Sequence, residues 1–185
     1  MKLNRLALIA TTAVAAVTLA ACAGNASRDS EAPVFLSQNI PVGPADVDIS
    51  VPVDVTVPNM NIQSHAKSPT GTLSSQDDVT LTDWTITPGR TDGGTVASPV
   101  WHNFYSVYVP ANGTANLQNY RIFPAEYFKQ PPLNQLLPEN GGFDKETGKR
   151  NIRQQLHIEV FGKTVAGDRV SLVFDVNLNF FYRTP

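Results

Sequence analysis

Five apolar residues, Leu172, Phe174, Val176, Leu178 and Phe180, share one parity of this 185-residue chain, while Asp175, Asn177 and Asn179 take the other. Side chains along a β-strand point to opposite faces in turn, so a period of two sorts the stretch into one buried and one wet face. Leu156, Ile158 and Val160 carry the matching stripe upstream. All eight apolar residues have even numbers. If the two stretches form a hairpin with both stripes on one face, paired residues sum to an even number and the loop holds an odd number of residues. Gly167-Asp168-Arg169 is the expected three-residue loop.

The rest of the chain reads mostly as strands and turns. Val, Thr, Asn, Pro and aromatic residues are plentiful and charged ones sparse, a mix that favours strands over helices. Val47, Ile49, Val51, Val53, Val55 and Val57 alternate with polar residues and Pro52. This predicts one long edge strand, broken where the proline has no N–H to give. Residues 59–78 read as a loop. In "VTLTDWTITPG", Val79 and Leu81 share one parity and Trp84 and Ile86 the other, so a bulge near Asp83 is needed to bring all four to one face. "VWHNFYSVYVP" is apolar on both parities, which predicts a central strand covered on both faces, with "NLQNYRIF" returning as its hairpin partner. Pro124 opens a short helix closed by Pro131-Pro132, and a further turn is expected at Leu133–Leu137. The fold class that follows is mainly β: an antiparallel β-sandwich or strongly curved sheet of six to seven strands with one short helix.

The N-terminus carries a different signal. Lys2 and Arg5 precede an uncharged apolar run from Leu6 to Leu19. As a helix that run reaches about 21 Å, short of a hydrocarbon core of roughly 30 Å, so it reads as an export signal rather than a membrane span. The chain's single cysteine follows at once, in Leu19-Ala20-Ala21-Cys22. These residues resemble the lipobox of bacterial lipoproteins. The resemblance implies a diacylglycerol on the Cys22 thiol, cleavage before it, and acylation of the new N-terminus. Two or three chains on one residue make release from a membrane negligible, since each buried CH₂ contributes about 0.8 kcal/mol. Ala23, in place of an aspartate, implies the outer membrane, with the domain facing the periplasm. The expected organisation is a signal peptide over 1–21, a lipidated Cys22 with a flexible tether over 22–45, and one β-rich domain over 46–185. Val34–Leu36 is the one place in the tether where a short edge segment is expected.

Candidate chemistry is thin. His65, His102 and His157 do not lie at metal-ligand spacing, and His157 with Glu159 reads as the wet face of a strand. No Gly-x-Ser-x-Gly turn is present. Asp46, Asp48 and Asp54 read as a solvated strand face. The charged, Gly-rich loop over 138–151, with Glu139, Asp144 and Glu146, fails the spaced calcium-loop pattern and is expected to be a charged contact loop. Without the signal peptide the formal charge moves from −2 to −4. That argues against nucleic acid as a partner and against reading a membrane surface by net charge. No cofactor or metal is expected. Weak binding candidates are Trp101, Tyr105 and Tyr108 on the aromatic strand, with Trp84 and Phe104 beside them, and Phe181 at the end of the last strand. The leading expectation is a non-enzymatic envelope lipoprotein that binds or scaffolds another envelope protein. The alternative is a small-molecule or glycan-binding module using Trp101–Tyr108.

Overall fold

The computed structural model describes residues 30–40 and 45–183. The expected signal peptide over 1–21 and Cys22 lie outside the described residues. The chain is mainly β, in two sheets, one of them curled into a half-barrel. Eight strands are described: β1 (Val34–Asn39), β2 (Ala45–Asp48), β3 (Val55–Ala66), β4 (Val79–Arg90), β5 (Trp101–Val109), β6 (Thr114–Phe123), β7 (Asn151–Thr164) and β8 (Arg169–Phe181). One sheet runs β1-β3-β6 and the other β2-β8-β7-β4-β5. Every pairing is antiparallel except β2 with β8, which is parallel.

The β7–β8 hairpin forms as the stripe requires. Leu156 faces Val176, Ile158 faces Phe174, and Val160 faces Leu172. All are buried, and burying each such side chain is worth about 1.5–3 kcal/mol. The loop is odd but longer than expected: the last pair is Lys163 with Arg169, leaving five residues between them. Gly167 takes φ +99° at the bend, a conformation that favours glycine.

β4 carries the bulge that its sequence demands. Its register with both β5 and β7 shifts between Leu81 and Asp83, and Val79, Leu81, Trp84 and Ile86 are all buried. The bulge presses the β4 backbone onto Gly162 of β7.

Other expectations are corrected. β5 is not a central strand but the outer edge of its sheet, and several of its aromatic side chains are exposed. β6 is not its hairpin partner: after the turn at 110–113 the chain crosses to the other sheet and pairs with β3. The expected single strand over 47–57 is two strands in different sheets, separated by a turn in which Val51 and Val53 are exposed. The expected loop at 59–66 is instead the second half of β3, with Met60 and Ile62 fully buried. The folded region begins before residue 46, because β1 runs to Asn39 and buries Val34 and Leu36. The short helix after Pro124 is a 3₁₀ turn, Ala125–Lys129, followed by another at Leu133–Leu136.

The sheets close on one core. Trp84 of β4 packs on Tyr120 of β6, with ring centroids 4.5 Å apart, and Phe123 of β6 on Phe180 of β8 at 5.0 Å. The loop over 138–150 is largely exposed, Glu139 and Glu146 included, but one of its acids, Asp144, turns inward. Buried Arg90 donates to Asp92 at 2.7 Å and to fully buried Asp144 at 2.7 Å, and Glu146 accepts from the backbone N–H groups of Thr95 and Val96. Burial pushes the Asp92 and Asp144 carboxyls up. Arg90 and the hydrogen bonds from Arg153, Gly94, Thr147 and Glu146 outweigh it, so both end below the usual carboxylate range.

Candidate functional site

The two sheets meet edge to edge where β5 faces β6. Each is the last strand of its own sheet, so β5 has a ladder only with β4, and β6 only with β3. A cavity of about 270 Å³ opens in this seam, lined by Asn103, Tyr105, Gln118, Asn119, Tyr120 and Arg121, with Leu117 at its floor.

A bulge on β5 sets the position of Tyr105. Val107 pairs with Leu81 and Phe104 with Asp83, so Tyr105 and Ser106 together stand against the single residue Thr82. The Tyr105 ring lies 5.4 Å from that of Tyr120, and its carbonyl accepts from the Trp84 indole N–H at 2.9 Å. The Asn103 amide donates to the Tyr120 hydroxyl at 3.1 Å. Burial pushes the Tyr120 phenol up to about 12, so it keeps its proton at neutral pH. Asn119 has φ +50°, the left-handed region, in mid-strand opposite Pro58. Non-glycine residues held there carry backbone strain, and Asn tolerates it best. At the seam's end, Arg121 lies 4.8 Å over the Trp101 ring and pairs with Asp54 at 3.1 Å. The Ala125 backbone N–H, more than Arg121, holds the Asp54 carboxyl below its ordinary range.

The four weak candidates are thereby separated. Trp101, partly buried, and Tyr105, half exposed, belong to the seam. Tyr108 points to the outer face of the larger sheet, its hydroxyl donating to Asp78 at 2.5 Å. Phe181, partly buried, sits at the other end of that sheet beside Asp48 of β2. Trp84 belongs to the core rather than to any platform. Tyr120, Asn119 and Arg121 were not singled out from sequence. Nothing local marks them, because only the crossing between sheets brings them to β5.

Elsewhere the polar clusters satisfy themselves. His157 Nδ1 lies 2.8 Å from Asp175, and its Nε2 faces the Glu159 carboxylate at 4.0 Å, not a hydroxyl. A larger depression of about 360 Å³ on the outer face is lined in part by Asp46, Arg153 and Asn179. There Asn179 donates to Asp46 at 2.8 Å and accepts from Asn151 at 2.7 Å. Among the described residues no group of three or more His, Cys, Asp or Glu is placed to hold a metal ion, and no helix is long and apolar enough to cross a membrane.

What the seam offers is a half-exposed ring, amide donors and acceptors, and two unpaired strand edges. That is equipment for binding an extended or planar group. No protein-family model, curated protein or solved structure matches this chain.

Proposed function

We propose that the chain is a non-enzymatic envelope lipoprotein, lipidated at Cys22 and held at the outer membrane facing the periplasm, whose β domain binds another envelope protein at the β5–β6 seam. The observation that carries the reading is the pair of facing edge strands around Tyr105. An extended partner segment gains main-chain hydrogen bonds from such an edge and side-chain fit from the neighbouring cavity. The lipobox supplies the location. The test is a photocrosslinking residue at Gln118, an exposed seam position, in intact envelopes. One adduct of reproducible mass is expected, absent when the crosslinker sits at exposed Lys145 and weakened by Tyr105→Ala. Failure to recover any discrete adduct at Gln118 sinks the proposal.

A second reading rests on the cavity's amides. Asn103, Gln118 and Asn119 beside the Tyr105 ring suit the hydroxyls and C–H face of a sugar. A saturable shift in tryptophan fluorescence on adding cell-wall fragments, lost in Trp101→Ala, would favour a glycan ligand over a protein.

A further inference from the structure

The start of the described chain and one end of the larger sheet meet at a single pole. Lys67, just past β3, bonds the Ser30 carbonyl and lies 3.2 Å from the Ser30 hydroxyl. Ser64 donates to Gly113 of the β5–β6 turn at 3.0 Å, and Ala111 of that turn donates to Asp78 at 2.8 Å. The Asp78 carbonyl in turn accepts from Val165 at the β7–β8 tip at 2.9 Å. Ser30, both turns and the start of β4 are therefore joined by direct contacts.

The outer face beside this pole is unlike the polar face further along. Tyr108, Thr80, Lys163 and Arg169 form one row across four strands, and Phe104, Asp83 and Phe161 form the next. Phe104 is 82% exposed, Val165 57%, Tyr108 55% and Phe161 46%. Lys163 and Arg169 stand directly opposite each other, an arrangement that repels. Neither forms an ion pair among the described residues. Asp77, Asp78, Asp83 and Asp168 lie at or near the same pole, so its pull on a surface is not one of net charge. Asp78 is already taken by Tyr108 and Ala111, and Asp83 by Thr82.

We propose that this patch rests on the phospholipid bilayer in which the chain's own acyl groups are embedded. The phenyl and tyrosyl rings and Val165 enter the interface, and Lys163 and Arg169 reach lipid phosphates. The inference rests on lipidation at Cys22. Eight residue steps separate Cys22 from Ser30, and at full stretch they span roughly 26–29 Å. The pole that carries Ser30 therefore stays within that distance of the anchored residue. The Tyr108 ring and the ends of Lys163 and Arg169 suit the headgroup layer, where one part of each side chain is wet and the other is not, and the Phe104 and Phe161 rings supply the apolar contact.

The test uses the full lipidated chain on phosphatidylethanolamine–phosphatidylglycerol vesicles. An environment-sensitive fluorophore is placed on Val165→Cys, or on Lys145→Cys at the far end of the molecule, the Cys22 thiol being blocked by lipid. Nitroxide lipids labelled at headgroup depth are expected to quench the Val165→Cys probe several-fold more than the Lys145→Cys probe. Lys163→Glu with Arg169→Glu is expected to abolish that difference while the chain still floats with the vesicles. Equal quenching at both positions in a chain that floats overturns the docked pole and leaves the anchor standing. A free thiol at Cys22, with no flotation, overturns the anchor and the docked pole together.

Discussion

A methyl group added to Gly162 would lie 2.2 Å from the carbonyl oxygen of Thr80 and 2.7 Å from the Leu81 Cα. Both obstacles are backbone, pushed toward β7 by the bulge that turns Trp84 and Ile86 inward. Gly162→Ala must therefore move a strand rather than a side chain. Overpacking of this kind costs about 1–3 kcal/mol. The expected result is a melting temperature lowered by roughly 2–12 °C. A melt matching that of the unaltered protein would show that the bulge does not press on β7.

Arg90 has buried carboxylates on two sides. Arg90→Met leaves Asp92 and Asp144 as unpaired charges in a site closed to water. Breaking a buried pair from one side costs about 3–5 kcal/mol. Urea denaturation should show a clearly lower midpoint with an unchanged slope.

The same cluster sets an acid limit. Asp92 and Asp144 have folded values below the unfolded value of about 3.9. Their contribution is complete above that value and is lost as pH falls through the folded ones. Stability is expected to be flat near neutrality and to fall below about pH 4. Half-buried Asp48, Asp54 and Asp78 and exposed Glu146 are shifted the same way and add to the fall. In Arg90→Met the acid-side loss shrinks, because the two carboxylates no longer have a cation to lose. Denaturant midpoints measured from pH 7 to pH 3 in both proteins decide it.

Asn119 offers a paired test of backbone strain. At φ +50° a glycine is at ease and a β-branched residue is not. Asn119→Gly should alter the urea midpoint little. Asn119→Val should cost roughly 1–2 kcal/mol. Equal effects from the two would mean that the left-handed conformation is not held in solution.

At the hydroxyl that closes the seam, Tyr120→Phe removes the acceptor for the Asn103 amide while keeping the ring against Trp84. A loss of about 0.5–1.5 kcal/mol is expected, with the Trp84 emission maximum unchanged. A shifted maximum would show that the ring itself had moved.

Sequence periodicity revealed those elements whose buried face is unbroken or broken once. β7, β8 and the β4 bulge are of this kind, because a stripe such as Leu156 to Val160 has only one way to be buried. It misled where alternation continued through a turn: Val51 and Val53 keep the parity of Val47 yet face solvent. The second half of β3 reads as a loop because Asn, Gln and Ser surround the buried Met60 and Ile62. On β5 the bulge and the exposed rings together imitate a strand covered on both sides. Half of the seam, Trp101 and Tyr105, was visible as an aromatic strand. The other half was not, because Tyr120 and Arg121 reach β5 only through a crossing between sheets that no local pattern encodes.

The parallel strand β2 lies against β8, pairing residues 45–48 with residues 178–181. A ribosome makes those partners some 130 residues apart, and β8 also supplies the wall on which β7 closes. The larger sheet therefore has no complete intermediate while the chain is being made: its first-made strand waits for its last-made one. Until residues 178–181 are made, Val47 has no β8 to lie against, and the outer edge of the sheet stays uncovered.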